Sequence, residues 1–384
     1  MTPRILIVAG SDSGGGAGIQ ADIKTVTMLG GHAMTAVTAL TAQNTLGVSG
    51  VMPVPAEFVV AQMDAVISDI GVDAVKIGMI GSPATAHAVA ERLEGLAVPI
   101  VFDPVMVATS GAVLAEPGTI AAFERLMTGA AVTTPNVAEL EALGGDAAMG
   151  ARGVTYLAKG GDAPGSDVTD RLVGPEGEIA RWTTPRVETA HTHGTGCTLA
   201  SAIATFLARG LPLRAAIVRA RQFVLIALRE APGLGLGHGP MGHQGVRLDL
   251  GGELRLNQMT LPAYELAASV AFYESVGLTL IVHAPPRYAR FECEGGATLS
   301  VEVGGRAGSG GVYLECTDLD AVVAKARARG IEVSDPVEQS WLWREAWTVD
   351  PAGNRLCLYQ ADLNRRYPPW RIEQSTEISD PTSG

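Results

Sequence analysis

The sequence has little of several features that mark common classes of protein. Aromatic residues make up 5% of the 384 residues, and the net charge of −12 comes without any Lys/Arg run, so no nucleic-acid partner is expected. The four cysteines (Cys197, Cys293, Cys316 and Cys357) include no CxxC pair, which argues against a zinc site or a disulfide framework. No apolar run is long enough to span a membrane and the N-terminus does not resemble a signal peptide, so the sequence predicts a cytoplasmic protein with no membrane partner.

The chain is instead rich in glycine and in short apolar runs. It contains 47 glycines, and hydrophobic residues account for 47% against 18% charged residues, which is typical of a well-packed globular protein. A length of 384 residues favours two domains.

Apolar runs alternate with helical periodicity in the first two-thirds of the chain. Strands are predicted at 5–9, 34–40, 74–77 and 100–102, and helices at 19–29, 57–70, 84–93, 195–207 and 213–228. This alternation predicts βαβ units, and therefore an α/β/α fold with a parallel sheet.

The pattern of predicted strands and helices changes after a Gly-rich segment at 233–252, and a βαβββ pattern then occurs twice. The first copy has strands at 256–261, 278–283, 287–293 and 298–303 and a helix at 263–275. The second copy has strands at 312–316, near Glu332, at 343–349 and at 355–360 and a helix at 319–329. An internal repeat of this kind indicates an α+β domain built from paired units. The predicted division is a first domain at 1–243, a linker at 244–253, a second domain at 254–363 and a disordered tail at 364–384.

Five motifs in the first domain suit phosphate chemistry, although each alone has an ordinary structural explanation. A glycine loop at 9–18 follows the first strand, but it fits neither the Rossmann fingerprint nor the Walker A motif. Gly194-Thr195-Gly196-Cys197 opens a helix, where consecutive amides can bind an anion and the helix dipole is expected to depress the pKa of the thiol. By itself, that pattern equally describes a buried cysteine in a capped helix.

The other three motifs place polar groups at the predicted ends of strands or starts of helices. Asn136 and Glu139 are three residues apart at a helix start, which suits Mg²⁺ and its waters but also an ordinary helix cap. Lys159 precedes two glycines and suits nucleotide phosphates, or is a solvated surface lysine. Asp103 follows an apolar strand, at the sheet edge where open α/β sheets bind ligands.

Taken together, these motifs resemble the hydroxymethylpyrimidine/phosphomethylpyrimidine kinases of the ribokinase-like family. The matching strings are AGSDSGGGAGIQAD (9–22), TALTAQNTLGV (38–48), KIGMI (76–80), DPVMV (103–107), TPNVAE (134–139), KGGD (159–162), HGTGCTL (193–199) and GHGP (237–240). The resemblance implies ATP-dependent phosphorylation of an aminopyrimidine alcohol and then of its monophosphate for thiamine biosynthesis. ATP and Mg²⁺ are the implied cosubstrate and cofactor, and a homodimer is the implied assembly.

The resemblance also implies roles for individual residues. Cys197 stands where most ribokinase-like sugar kinases have an aspartate base, and the implied anion hole is Gly194, Thr195 and Gly196. The implied pyrimidine pocket consists of Gln43, Asp22, Gly10, Met79 and Val105. Lys159 and Asn136 are implied to act at ATP, and Asp103, Glu139 and also Asn136 to organise Mg²⁺. One departure is the segment 144–153, which looks too short for a helix that the family has there.

The second domain resembles the vicinal oxygen chelate superfamily. The matching strings are LNQMTLP (256–262), ASVAFYESVG (268–277), VYLECTDLD (312–320) and DPAGNRLCLY (350–359). Gln258 and Glu302 are the only candidate metal ligands, since Gly311 and Cys357 stand where ligands are expected and His283 is misplaced. A metal-free binding module is therefore expected, with Trp341, Trp343 and Trp347 as candidate wall residues or as ordinary packing.

Two alternatives to the pyrimidine kinase stay open. A pyridoxal kinase would use the same scaffold, because both substrates are hydroxymethyl heteroaromatic rings. The chain could also be a non-catalytic binding protein that sequesters a small molecule, although Cys197, Lys159, Asn136 and Glu139 argue against this.

Overall fold

The structure is a computed structural model that describes residues 2–106, 117–246, 258–293, 297–304, 311–316, 319–340 and 342–360. The chain divides into two compact units, Met1–Leu250 and Gly251–Gly384. Across these described ranges, none of the helices combines the length and the apolar character needed to cross a membrane.

The first unit alternates strands and helices along most of its length. Its elements are β1 (Arg4–Asp12), α1 (Gly18–Met28), β2 (His32–Gln43), β3 (Val48–Pro53), α2 (Ala56–Asp69), β4 (Ala74–Ile77), α3 (Pro83–Leu93), β5 (Ile100–Phe102), α4 (Pro117–Gly129), β6 (Val132–Thr133), α5 (Val137–Ala142), α6 (Gly145–Ala151), β7 (Tyr156–Ala158), β8 (Asp167–Gly174), β9 (Gly177–Pro185), α7 (Thr195–Ala208) and α8 (Leu213–Arg229). A short 3₁₀ helix, His243–Gly245, follows α8.

In the described part of this unit the strands form one sheet of nine in the order β3-β2-β1-β4-β5-β6-β7-β8-β9. The six neighbouring strands β2, β1, β4, β5, β6 and β7 are parallel, as predicted for the sheet. Strand β3 at one side, and β8 and β9 at the other, pair antiparallel and were not predicted. Because parallel strands all end at the same edge of a sheet, the loops after β1, β2, β4, β5, β6 and β7 meet there.

Alternate residues of β1 fill two separate cores, one on each face of the sheet. Leu6 and Val8 pack with residues of α2, α3 and α4. Ile5 and Ile7 face the other way and pack with residues of α1, α7 and α8. Such runs, apolar on both faces, are typical of strands buried between two helical layers.

Two sequence-based expectations for this unit were wrong. The segment 144–153 does form a helix, α6, in which Met149 is fully buried, so the element that appeared to be lost is present in short form. The predicted linker begins too early, because Val246 is 3% exposed and belongs to the core of the first unit. The rest of that segment, 247–253, lies outside the described residues.

The second unit contains the predicted βαβββ pattern twice. Its elements are β10 (Gln258–Ala263), α9 (Leu266–Val276), β11 (Thr279–Ala284), β12 (Tyr288–Glu292) and β13 (Thr298–Val303), then β14 (Gly311–Glu315), α10 (Leu319–Ala328), β15 (Val337–Glu338), β16 (Arg344–Val349) and β17 (Arg355–Gln360). The described strands form two sheets of four, ordered β10-β13-β12-β11 and β14-β17-β16-β15. The identical order, with a parallel first pair in each sheet, reflects the sequence repeat.

The two repeats share a core. Val312 and Leu356 of the second repeat pack in the cluster formed by Phe291 and its neighbours in the first. The predicted strand near Glu332 was wrong, because the short edge strand is β15, five residues further on. The tail at 364–384 and Trp341 lie outside the described residues.

Candidate active site

Polar and glycine residues of the first unit converge where its parallel strands end and α7 begins. Asp12 and Gln43 are the last residues of β1 and β2, Asp103 follows β5, and Lys159 follows β7. A Cβ added at Gly196, in the first turn of α7, would lie 3.1 Å from Lys159 Nζ and 3.4 Å from Asp103 Oδ2. The strand ends and the helix N-terminus therefore form one site.

The N-terminus of α7 depends on glycine. Gly194 caps the helix with φ +86°, and a Cβ at this position would lie 2.0 Å from the carbonyl oxygen of Gly16. Any other residue would separate α7 from the glycine loop. No side chain caps α7, and the amides of Thr195, which donates to the carbonyl oxygen of Thr192 at 3.3 Å, and of Gly196 lie at the positive end of the helix dipole, where an anion is stabilised.

Cys197 lies in the first turn of α7 and is partly exposed. The expected depression of its pKa was wrong. Enclosure by protein atoms raises the pKa of the thiol to about 11, with Asp22 and Asp103 adding to the effect, and it outweighs the opposing pull of Lys76 and the backbone of Gly18. In this structure Cys197 is therefore a thiol at neutral pH.

Lys159 joins the two predicted metal-organising carboxylates. Its Nζ lies 2.7 Å from Asp103 Oδ1 and 3.8 Å from Glu139 Oε2, and all three side chains are largely buried. Thr134 Oγ1 donates a second hydrogen bond to Asp103 Oδ1 at 2.9 Å. Burial lowers the pKa of Lys159, but the attraction of Asp103 and Glu139 outweighs it and the net pKa is raised.

Asn136 and Glu139 form a capping box at the start of α5. Asn136 Oδ1 accepts from the backbone N–H of Glu139, and Glu139 Oε2 accepts from that of Asn136, both at 2.8 Å. Burial raises the pKa of Glu139 to about 7 against the pull of Lys159. The structure thus gives both residues a structural role, while leaving Glu139 beside Lys159.

Asp22 lies beneath the site in a fully buried ion pair with Lys76 of β4. Lys76 Nζ lies 2.9 and 2.8 Å from the two carboxylate oxygens, and Ser201 Oγ donates to Asp22 Oδ1 at 2.7 Å. Both charged side chains are 0% exposed. Burial lowers the pKa of Lys76, but the attraction of Asp22 outweighs this and the net pKa is raised.

The other predicted pocket residues lie at the ends of β1, β2, β4 and β5. Gly10 leaves room for Met79, whose sulfur would lie 3.1 Å from a Cβ at this position. Val105 is half-buried two residues after Asp103, and Gln43 is half-buried at the end of β2. The side-chain amide of Gln43 lies 3.1 Å from Nε2 of His193, the residue before Gly194.

Asp12, Lys76 and His193 were not among the predicted site residues, although all three lie in the strings that match the kinase family. Lys76 had a detectable signal, since a lysine within an apolar strand must find a buried partner. Asp12 and His193 had none, because only the fold brings residues 181 positions apart into contact.

Two of the residues considered as metal ligands in the second unit, Glu302 and Cys357, have described side chains. Glu302 pairs with Arg287 at 2.9 Å, and burial raises the pKa of the Cys357 thiol to about 12. The side chain of Gln258 lies outside the described residues. No group of three or more His, Cys, Asp or Glu side chains in the described ranges is placed to hold a metal ion.

Aromatic residues line one face of the second sheet of this unit. Trp343 stacks on Tyr359 with ring centroids 4.6 Å apart, and Tyr313 contacts Trp347 edge-on at 5.5 Å. Tyr313 is 50% exposed and Trp343 and Trp347 are half-buried, so these three rings are accessible from solvent, whereas Tyr359 is buried beneath them.

Comparison with known proteins agrees with the geometry of the first unit. A family model described as phosphomethylpyrimidine kinase matches residues 12–242. The chain is 50% identical over 256 residues to the thiamine biosynthesis bifunctional protein ThiED of Geobacter sulfurreducens, covering 62% of this chain and 52% of that one. It is 46% identical over 260 residues to the hydroxymethylpyrimidine/phosphomethylpyrimidine kinase of Rhizobium meliloti, covering 63% of this chain and 97% of that one. The chain thus spans about half of the first relative and nearly all of the second.

Solved structures with the same fold include two pyridoxal kinases. The Bacillus subtilis enzyme, crystallised with ADP, is 31% identical with a TM-score of 0.60, covering 65% of this chain and 100% of that one. The Staphylococcus aureus enzyme with pyridoxal is 29% identical with a TM-score of 0.58, covering 64% and 94%. The fold and the site define an ATP-dependent phosphotransferase of the ribokinase-like class. Within that class, the chain belongs to the phosphomethylpyrimidine kinase family.

Proposed function

We propose that the first unit phosphorylates hydroxymethylpyrimidine and then its monophosphate with MgATP, as a step of thiamine biosynthesis. The observation that carries the proposal is the joining of Cys197, the amides of Thr195 and Gly196, and the Lys159–Asp103 pair at one edge of the sheet. This combination offers a base, an anion hole and a cation, which are the groups that an in-line phosphoryl transfer needs.

In the proposed reaction, the hydroxymethyl oxygen forms a bond to the γ-phosphorus of ATP as the bond to the bridging oxygen of ADP breaks. The thiolate form of Cys197, which is a minor fraction at neutral pH because the pKa of the thiol is raised to about 11, takes the hydroxyl proton. The amides at the start of α7, including those of Thr195 and Gly196, stabilise the charge on the transferred phosphoryl group, and Lys159 holds the phosphates of the nucleotide.

The acidic groups around Lys159 suit Mg²⁺. Asp103 and Glu139 place carboxylates on one ammonium group, and Mg²⁺ is typically held by one or two carboxylates together with waters and substrate phosphates. The ion, when bound, neutralises phosphate charge. We assign Asp103 and Glu139 to holding it, and Asn136 to positioning Glu139 through the capping box and so to the nucleotide side of the site.

Gln43 is assigned to the ring of the pyrimidine, with Gly10, Met79 and Val105 as the walls of the pocket. Gly10 and Met79 are in contact, and the amide of Gln43 can offer both a donor and an acceptor. Asp22 supports the pocket from beneath through Lys76, because its oxygens already have partners.

The test is ADP release by the purified chain with MgATP and each candidate acceptor. Turnover with hydroxymethylpyrimidine and with its monophosphate is the expected result. Absence of turnover with both would reject the proposal and favour a non-catalytic binding protein.

Pyridoxal is the second candidate substrate, since the solved structures of the same fold include pyridoxal kinases. The curated relatives favour the pyrimidine, with identities of 50% and 46% against 31% and 29% for the pyridoxal kinases. A kcat/KM for pyridoxal above that for hydroxymethylpyrimidine would reverse this preference.

We further propose that the second unit is a vicinal oxygen chelate-like module that binds a small molecule without a metal. The paired βαβββ repeats support the fold, and the accessible rings of Tyr313, Trp343 and Trp347 support an apolar or aromatic ligand. Tryptophan fluorescence titrated with aromatic compounds, with and without a chelator, tests this. A response abolished by the chelator would contradict the metal-free assignment.

A homodimer formed through the first unit is also proposed. Edge strand β3 and its neighbours expose Leu40, Val51, Met52 and Phe58, each between 44% and 60% accessible. A sheet edge with exposed apolar side chains favours association with a second chain. Light scattering coupled to gel filtration should give twice the mass of one chain, and Met52→Lys should shift it to the monomer.

A further inference from the structure

The glycine loop after β1 closes on the carboxylate of Asp12. Asp12 Oδ1 accepts from the N–H of Gly14 at 2.8 Å, and Oδ2 accepts from the N–H groups of Gly16 and Ala17 at 2.9 and 2.8 Å. Asp12 is 2% exposed, so these bonds are shielded from water. The loop is therefore built around a fixed, buried acceptor.

That acceptor determines which nitrogen of His193 carries a proton. His193 Nε2 lies 3.0 Å from Asp12 Oδ2, and an unprotonated Nε2 would direct a lone pair at the carboxylate. Nε2 is therefore an N–H donor. The same nitrogen lies 3.1 Å from the side-chain nitrogen of Gln43, and a protonated Nε2 of His193 cannot accept a hydrogen bond from that NH₂ group. A half-turn of the amide exchanges two atoms of nearly equal size, so the orientation that satisfies His193 is the one with the oxygen of Gln43 facing it.

Thr41 supports the same orientation from the other end of the amide. Its hydroxyl proton is directed at the carbonyl oxygen of Ser11, 2.8 Å away, so Thr41 Oγ1 is left to accept. Gln43 Oε1 lies 3.2 Å from this oxygen, and the same half-turn of the amide brings the NH₂ group to this place, where Thr41 Oγ1 can accept from it. The single Nε2–H of His193 is then shared between Asp12 and the oxygen of Gln43, and the hydroxyl of Thr41 donates to Ser11 and accepts from Gln43.

We propose that Asp12 and His193 are positioning residues that fix the orientation of the Gln43 amide and thereby select the substrate ring. With its oxygen bonded to His193 and one N–H bonded to Thr41, Gln43 keeps one acceptor site and one N–H for a ligand. A ring that carries an amino group next to a ring nitrogen matches this pair, as in the recognition of adenine by an amide side chain. This inference rests on the proposed pyrimidine kinase activity and extends it to specificity.

A double-mutant cycle tests the inference on the full chain. His193→Leu removes the donor, whereas His193→Gln keeps an N–H near the position of Nε2. We expect His193→Leu to raise KM for hydroxymethylpyrimidine about tenfold, the usual value of one hydrogen bond, with KM for MgATP unchanged. His193→Gln should restore most of the loss. In a Gln43→Leu background, His193→Leu should have no further effect.

His191→Leu is the matched control, since His191 lies in the same loop two residues earlier and should show no coupling to Gln43→Leu. Equal effects of His193→Leu in both backgrounds, or of His193→Leu and His193→Gln, would overturn the inference while leaving the kinase activity intact. No turnover of the wild type on the pyrimidine would overturn both. Nitrogen NMR gives a test that needs no variant: the Nε2–H tautomer of His193 is expected, and the Nδ1–H tautomer would refute the chain of hydrogen bonds.

Discussion

Asp22→Asn should be among the most destabilising single substitutions in the first unit. The change keeps the shape of the side chain but leaves the ammonium of Lys76, which is 0% exposed, without its counter-charge. Removing one partner of a buried ion pair typically costs about 3–5 kcal/mol. We expect the lower part of that range, about 3 kcal/mol, because an amide oxygen can still accept one of the bonds from Lys76 or Ser201.

Urea unfolding of the full chain, followed by far-ultraviolet circular dichroism, measures this loss. The midpoint should fall while the slope stays constant, since the surface exposed on unfolding does not change. Glu178→Gln is the matched control, because it breaks the exposed pair with Arg181 by the same loss of charge and should leave the midpoint unchanged.

Replacing both charges, with Asp22→Leu and Lys76→Met, should recover much of the stability, since an apolar pair of similar volume suffers no desolvation. A cost for Asp22→Asn below about 1 kcal/mol would refute the reasoning, because it would mean that Lys76 is neutral or reaches water.

Three further predictions concern the catalytic thiol, the capping glutamate and the second unit. Cys197→Ala should lower kcat by a factor of about 100 or more, and near-normal turnover in the variant would contradict the role of Cys197 as the base. In the wild type, kcat/KM should rise with pH from neutral towards the thiol pKa of about 11, because the thiolate is the reactive form. Glu139→Gln, which preserves the capping box, should gain stability relative to the wild type as the pH rises from 4.5 to 7 in metal-free buffer. In that window folded Glu139 keeps a proton that the unfolded chain has lost, so the wild type loses stability with rising pH; parallel pH profiles from urea unfolding would argue against the raised pKa. Tyr273→Phe should destabilise the second unit by about 1–2 kcal/mol, because it removes the buried hydrogen bond of 3.0 Å from the tyrosine hydroxyl to Asp350. The fluorescence of Trp343 and Trp347 reports the unfolding transition. An unchanged unfolding midpoint would show that this hydrogen bond contributes nothing to stability.

Local patterns predicted four of the six parallel strands (β1, β2, β4 and β5) and five of the helices around them, whereas β6 and α4 were not predicted. The strands at 74–77 and 100–102 have the predicted bounds, because a short apolar run between turn residues has few alternatives in an α/β chain. Strands β8 and β9 were missed, since both carry charged side chains and alternate in burial, half-buried with buried in β8 and exposed with half-buried in β9, as antiparallel strands do.

The ionisation of the site could not be predicted from spacing. A cysteine in the first turn of a helix is ordinarily acidified by the helix dipole, yet enclosure and the nearby carboxylates raise the pKa of Cys197 to about 11. Likewise, the pair of Asn136 and Glu139 is compatible with a metal ligand set or a helix cap, and the reciprocal capping bonds are seen only in the folded structure.

The sequence by itself therefore determined the alternation of strands and helices, the repeat in the second unit and the motifs at the strand ends, because these depend on periodicity and on residues close together in the chain. The tertiary structure decided which side chains meet, as for Asp12 with His193 and for Asp22 with Lys76. Burial and neighbouring charge set their protonation, and both depend on contacts between residues that are distant in the sequence.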